Sequence, residues 1–179
     1  MGEPIVLLDS DAVNSTLRQL ASEIAARNSD PDSYVLVGVL LRGVALAERL
    51  AKSIGEQTGR APRTASIDVS MHRDDLSIRR RLPSVRETKL PLELDTLTLI
   101  LVDDVLFTGR TCRAALDAIN SFGRPARIQL AALLDRGHRE LPIQPDYVGK
   151  TFPTQRQQLV RVRLQETDHE PDSVLLIDP

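Results

Sequence analysis

Residues 99–111 join an apolar run to two adjacent aspartates and a Thr-Gly-Arg-Thr turn. Thr108, Gly109 and Thr111 could form a loop whose N–H groups and hydroxyls converge at a helix N-terminus, where partial positive charge favours a phosphate. Asp103 and Asp104 would repel a bare phosphate, but they suit vicinal hydroxyls or a bound cation. Together these residues predict a sugar-phosphate site, with carboxylates for the diol and backbone amides for the phosphate.

Two other interpretations of this segment remain open, and other kinds of site are excluded. An acidic pair after an apolar strand also occurs in magnesium-dependent phosphoacceptor sites, or as solubilising charge. A Walker-type P-loop is excluded because no Gly-Lys-Ser/Thr follows the strand. The single Cys112 excludes an intramolecular disulfide and a multi-cysteine zinc site. His72 and His169 lack metal-ligand spacing.

The elements that must position this segment alternate between strands and helices, which predicts an α/β fold with a mainly parallel sheet. Strands are predicted at residues 5–8, 34–41, 65–71, 97–102, 128–134, 147–148, 159–164 and 174–177, and helices from Asp9 or Ser10 to Ile24 and at 44–54 and 111–122. The last three short strands are expected to form a less regular cap. Residues 72–95, rich in arginine and interrupted by proline, predict a lid or a disordered loop.

In such sheets ligands bind outside the carboxyl ends of the strands. Three of those ends carry candidate functional residues, at Leu41-Arg42-Gly43, at residues 103–111 and at Asp135-Arg136. We expect them to share one edge of the sheet.

Bulk properties favour one domain in the cytosol. The 179 residues are 41% hydrophobic, enough for one substantial core. A net charge of -2 does not indicate a dedicated nucleic-acid binder. No apolar run approaches the roughly 20 residues that cross a bilayer, so we predict no membrane association.

The string at 99–111 resembles the 5-phosphoribosyl-1-pyrophosphate (PRPP) motif of type I phosphoribosyltransferases. Residues 67–76, 123–125, 135–142 and 146–150 are similar to blocks of the bifunctional pyrimidine operon regulator/uracil phosphoribosyltransferase family, PyrR. The likeness covers nearly the full chain. It implies the type I phosphoribosyltransferase fold, with a mainly parallel sheet flanked by helices, a small β-rich cap (the hood) from the N-terminal strand and residues 135–179, and a mobile lid at 72–95.

The resemblance also implies a reaction: uracil and PRPP would give UMP and pyrophosphate. Mg²⁺ would be carried by PRPP and not by a dedicated protein site. The protein would be a homodimer or a larger homo-oligomer. Candidate catalytic residues are Asp103, Asp104 and Arg42.

Individual binding roles follow from the same resemblance. Asp103 and Asp104 would hold the ribose hydroxyls, Arg42 and Gly43 the pyrophosphate, and Arg86 would close over it. The rest of the motif would complete the PRPP site: Val105, Leu106, Phe107, Thr108, Gly109, Arg110 and Thr111. The last four of these, residues 108–111, would hold the 5-phosphate. The base would meet Arg136 and the backbone near Val160.

This chain departs from the family pattern at two places. The family usually carries Thr before Arg-Gly, whereas Leu41 stands here and removes one hydroxyl contact. Family members that bind a stem-loop in pyrimidine-operon messenger RNA carry Thr-Arg-x-x-His on the first helix. At the corresponding positions this chain has Arg18, Gln19 and Ser22 in place of Thr, Arg and His, so the expected RNA contacts are altered.

Three functions therefore stay open. The first is a uracil phosphoribosyltransferase with a regulatory role. The second is an RNA-binding attenuator with vestigial catalysis. The third is a phosphoribosyltransferase for another base such as hypoxanthine, which Phe107 disfavours because purine enzymes of the superfamily commonly carry an acid there.

Overall fold

The computed structural model describes residues 3–70, 88–91 and 93–179. Alternating strands and helices dominate, as the hydrophobic patterning predicts. In chain order they are β1 (Ile5–Leu8), α1 (Ser10–Arg27), β2 (Tyr34–Val39), α2 (Arg42–Thr58), β3 (Arg63–Ile67), β4 (Thr98–Leu106), α3 (Arg110–Asn120), β5 (Arg127–Asp135), β6 (Tyr147–Thr151), β7 (Leu159–Arg163), α4 (Gln165–Asp168) and β8 (Ser173–Ile177).

The central sheet has five parallel strands in the order β3-β2-β4-β5-β6. From β2 the chain passes through α2 to one edge, and from β4 it passes through α3 towards the other edge. The strand order therefore reverses between β2 and β4. At such a switch point the loops after the two strands diverge and leave a crevice for a ligand.

Two apolar clusters cover the two faces of this sheet. One joins α1 and α2 to Leu36, Ile100 and Leu133. The other joins α3 to Val37 and Leu101. Successive residues of a strand point to opposite faces, so continuous runs of Val, Ile and Leu serve both clusters at once.

Helix α1 begins as predicted. The Asp9 carboxylate accepts a hydrogen bond of 2.8 Å from the Ala12 N–H, which satisfies one N-terminal donor. Its apolar stripe recurs at helical spacing and is buried: Val13, Leu17, Leu20 and Ile24. Among the described residues, no helix is long and apolar enough to cross a membrane.

The hood is a separate antiparallel sheet in the order β1-β8-β7. One expectation for this region is wrong: Tyr147 and Val148 belong to β6, which pairs in parallel with β5 and closes the central sheet. The four-residue α4 between β7 and β8 was not predicted. Strand β3 ends at Ile67, earlier than the alternation suggested, and most of the predicted lid lies outside the described residues.

Candidate functional site

The two aspartates stand at the carboxyl end of β4, half-buried. β4 runs past the apolar run to Leu106 because its pairing with β5 continues through Asp103 and Val105. Burial raises the pKa of Asp104 above its usual range, although the charge of Arg42 and the Val105 N–H act against that rise. A partly desolvated carboxylate at this position is suited to accepting hydrogen bonds from sugar hydroxyls.

The turn from β4 to α3 depends on Gly109. Its φ is 89°, a left-handed conformation that L side chains avoid, and an added Cβ would approach Ile143 Cδ1 to 3.3 Å. Gly109 is also the N-cap of α3 and provides no side-chain hydrogen bond to the helix. Thr111, in the first turn of α3, lines the crevice between β2 and β4, where the partial positive charge of a helix N-terminus suits a phosphate.

Residues 136–143, which we call the buttress segment, hold this turn from behind. The Arg136 N–H donates to the Leu106 carbonyl at 3.1 Å, and the Glu140 N–H donates to the Thr108 carbonyl at 3.0 Å. Arg139 Nη1 donates to the Phe107 carbonyl at 2.9 Å. The carbonyls of three successive residues, 106–108, are thus held by the buttress segment.

Arg42 opens α2 directly after β2, on the other side of the switch point. Gly43, next to it, is buried, and a Cβ there would overlap the Val102 carbonyl oxygen. A larger residue would push α2 away from β4. Glycine at this position therefore brings the Arg42 loop close to the aspartates.

A cavity of about 160 Å³ lies where the two loops meet. Polar groups from β4, α2 and α3 face it together. It is lined by Val39, Leu40, Leu41, Arg42, Val69, Asp103, Asp104, Val105 and Thr111. The structure thus brings together Arg42, the aspartate pair and Thr111, as the shared sheet edge predicts.

Arg42 is held from the hood. Its Nε and Nη2 donate to the two carboxylate oxygens of Asp168 at 3.1 and 2.6 Å. This bidentate pair holds the pKa of Asp168 down at about 2, helped by the Leu164 N–H and the Thr167 hydroxyl, and it raises the pKa of Arg42. Sequence reasoning missed Asp168, since no local pattern marks it.

Arg136 and Phe107 form a second group beside the turn. The Arg136 guanidinium carbon lies 4.1 Å from the centre of the Phe107 ring, within the range of a cation–π contact. Arg136 is 4% exposed and donates to the Thr154 hydroxyl and the Gln155 carbonyl. Burial lowers its pKa. Among the described residues, every partner of this guanidinium is uncharged, so no carboxylate neutralises its positive charge. A polar ring that binds beside it would therefore face a cation.

The remaining candidates fall in different places. The sequence predicted no role for His138. Its ring packs against that of Phe107 in a T-shaped contact, with 5.9 Å between the ring centroids, and its Nε2 lies 2.6 Å from the Thr154 carbonyl oxygen. Val160 lies in β7 and packs into the cluster under α1 and α2. Arg86 lies outside the described residues.

Comparison with protein families and curated sequences covers almost the whole chain. The family model described as phosphoribosyl transferase domain matches residues 7–167. A protein named Bifunctional protein PyrR from Chloroflexus aurantiacus is 51% identical over 98% of this chain and 97% of its own. The protein of the same name from Deinococcus radiodurans is 50% identical over 97% and 94%. That from Bacillus mycoides is 45% identical over 99% of both chains.

Solved structures share the fold at lower identity. A hypoxanthine-guanine phosphoribosyltransferase of Bacillus anthracis superposes with a TM-score of 0.72 at 15% identity, covering 99% of both chains. A hypoxanthine phosphoribosyltransferase of Trypanosoma cruzi gives 0.73 at 19% identity, covering 99% of this chain and 96% of its own. At these identities the likeness shows the type I phosphoribosyltransferase fold and does not identify the base.

Proposed function

Because this chain belongs to the PyrR family of phosphoribosyltransferases, we propose that it transfers the ribose 5-phosphate of PRPP to uracil. The bond from C1 of the ribose to the pyrophosphate oxygen breaks. A bond from C1 to the uracil nitrogen forms, and that nitrogen loses its proton. The products are UMP and pyrophosphate.

One observation carries the proposal. The crevice between β2 and β4 gathers a carboxylate pair, a helix N-terminus and an arginine around one cavity. PRPP presents a diol, a 5-phosphate and a pyrophosphate in one molecule. The three kinds of protein group match those three parts, with Asp103 and Asp104 on the diol, the start of α3 on the 5-phosphate and Arg42 on the pyrophosphate.

The same groups support the chemical step. As the bond at C1 breaks, the ribose ring becomes cation-like, and a nearby carboxylate stabilises that charge without reorganisation. Asp104 is suited to this because the protein around it has already displaced water. Arg42 offers positive charge to the leaving pyrophosphate, on which negative charge accumulates.

Mg²⁺ fits this arrangement as a companion of the substrate. The donors around the cavity include oxygen ligands from Asp103 and Asp104, the type that Mg²⁺ prefers. When bound with PRPP, the ion would neutralise charge on the pyrophosphate. Asp103 and Asp104 are the residues that would face it, through the ribose hydroxyls or through water.

The base is proposed from the Arg136–Phe107 pair. A ring stacked beside the turn would meet the edge of a cationic guanidinium, which suits the carbonyl oxygens of uracil. Phe107 has no proton to give to a purine nitrogen. Hypoxanthine is the competing substrate because the superposing structures are enzymes of that base.

Regulation of a pyrimidine operon through messenger RNA is proposed from the relatives' name, Bifunctional protein PyrR. Arg18, Gln19 and Ser22 are all exposed on α1, so a partner can reach them. They differ from the family run, and we propose RNA contacts that differ accordingly. A homo-oligomer in the cytoplasm is part of the same proposal.

The test compares uracil with hypoxanthine in a PRPP-dependent assay of nucleotide formation. Asp103→Asn and Asp104→Asn should each lower turnover by at least about 10²-fold, as expected for removal of a preorganised charge. Asp32→Asn, which alters an exposed pair with Arg60, is the matched control and should leave turnover unchanged. Nucleotide formed from hypoxanthine and not from uracil would assign the second base. If Asp103→Asn and Asp104→Asn both keep the turnover of the wild type, the assignment of the active site to these residues is wrong.

A further inference from the structure

The contact between Arg42 and Asp168 joins the start of α2 to the hood. The two side chains form a side-on pair in which Nε and Nη2 of the arginine face the two carboxylate oxygens. A guanidinium has five N–H donors in a rigid fork. Among the described residues, Nη1 has no acceptor, so one edge of Arg42 is held while the other stays open to a further anion.

Asp168 is itself held in place. Its Oδ2 accepts from the Leu164 N–H at 3.0 Å and from the Thr167 hydroxyl at 2.8 Å, both within the same short turn. Its low pKa means that it is ionised throughout the neutral range. The carboxylate is therefore a fixed anion and does not follow the flexible arginine.

A second carboxylate, that of Asp104, lies near the same arginine. Arg42 and Asp104 line one cavity, and each charge shifts the pKa of the other. An arginine released from the hood could turn onto Asp104. That movement would remove the cation from the pyrophosphate region and cover the acid that faces the ribose.

We propose that Asp168 is a positioning residue for PRPP, which holds the Arg42 guanidinium away from Asp104 and orients its open edge towards the pyrophosphate. The inference rests on the proposed function of the site and adds a residue from outside the PRPP motif to it. Asp168 touches Arg42 and acts through it.

The fold provides a matched control further along α2. Arg49, two turns after Arg42 on α2, forms bidentate contacts with Glu166 and with Asp172. Glu166→Gln changes a carboxylate of the same helix α4 and leaves the Asp172 contact in place. It perturbs the attachment of the hood to α2 without touching Arg42.

The experiment measures KM for PRPP, kcat, and the dissociation constant of PRPP with Mg²⁺ by calorimetry. Asp168→Asn should raise KM and the dissociation constant roughly tenfold, the loss expected for one charge-assisted hydrogen bond. Because Arg42 also offers charge to the leaving pyrophosphate, kcat should fall as well, but by no more than it falls in Arg42→Ala. Glu166→Gln should match the wild type in all three.

A double-mutant cycle separates positioning from general damage. In an Arg42→Ala background, Asp168→Asn should have no further effect on the affinity for PRPP, because the residue it acts through is gone. An equal loss in both backgrounds would overturn the proposal. Tighter PRPP binding by Asp168→Asn alone would also overturn it, since Asp168 would then be a competitor of the pyrophosphate.

Failure of the proposed function has a different signature. A wild-type protein that makes no nucleotide from any base while binding PRPP would refute the enzymatic proposal and leave the binding cycle interpretable. If the wild type forms nucleotide and Asp168→Asn binds PRPP as tightly as the wild type, only the positioning role of Asp168 is refuted.

Discussion

Replacing Arg139 by Met should loosen the turn that carries the proposed phosphate site. Arg139 donates to the Phe107 carbonyl at 2.9 Å and to the Ile143 carbonyl at 3.1 Å, and it forms an ion pair with Asp135. Met preserves most of the apolar stem and removes every donor. The two carbonyls lose their partner, while Asp135 keeps the Gly137 N–H at 2.9 Å.

The size of the effect follows from those contacts. A hydrogen bond from a charged donor contributes about 1.5–3 kcal/mol, and the side chain is 22% exposed, so we expect a net loss of about 3 kcal/mol and not the full sum. For a chain of this length, that loss corresponds to a fall in Tm of roughly 6–12 °C. At 25 °C the folded variant should also bind PRPP less tightly, because the Phe107 carbonyl is free to rotate.

The assay is calorimetric unfolding together with PRPP titration. Arg156→Met is the matched control: the Arg156 side chain is 61% exposed and contacts Glu140 on the same buttress segment. Its Tm and PRPP affinity should equal those of the wild type. If Arg139→Met also unfolds within a degree of the wild type, the segment does not support the turn in the way described.

Three shorter predictions address the neighbouring features. Gly109→Ala should lower the free energy of unfolding in urea by about 1–2 kcal/mol, because it places a Cβ in a left-handed conformation. Adding Ile143→Ala should remove only the part of that loss that comes from the contact between the new Cβ and Ile143 Cδ1. An unchanged urea midpoint for Gly109→Ala would contradict the strain at this position. Arg136→Met should raise KM for uracil while KM for PRPP stays within about twofold, since the side chain lies beside Phe107 and does not line the cavity of Arg42 and the aspartates; equal increases in both would place Arg136 in PRPP binding. Burial raises the pKa of Cys112 to about 11, so at pH 8 the thiol stays protonated and should react with a disulfide reagent far more slowly in the folded than in the denatured protein; rapid labelling of the folded protein would refute its burial.

Local chemistry made the β4 segment predictable from sequence. An apolar run predicts a buried strand, an acidic pair at its carboxyl end predicts a ligand-binding edge, and Gly109 predicts the turn before a helix. All three features lie within thirteen residues, and the family match supports the same assignment. The strand itself is longer than the apolar run, because pairing with β5 continues through the aspartates.

Contacts between distant parts of the chain were not predictable. Arg42 and Asp168 are 126 residues apart, and α4 is too short to show a helical period. Strand β6 offers two apolar residues before Gly149, which is not enough to indicate whether it joins the central sheet or the hood. Arg139 reads as one charge in a polar loop, and only the folded structure shows it reaching the Phe107 carbonyl.

The two arginines of α2 have a consequence for insertions and deletions in the hood. Arg42 and Arg49 are seven residues apart, which places them on one face of the helix. Their three acidic partners all lie between residues 166 and 172. Losing or gaining one residue in that connection would shift Asp172 away from Arg49 or Asp168 away from Arg42. Length variation among related chains should therefore concentrate outside residues 166–172.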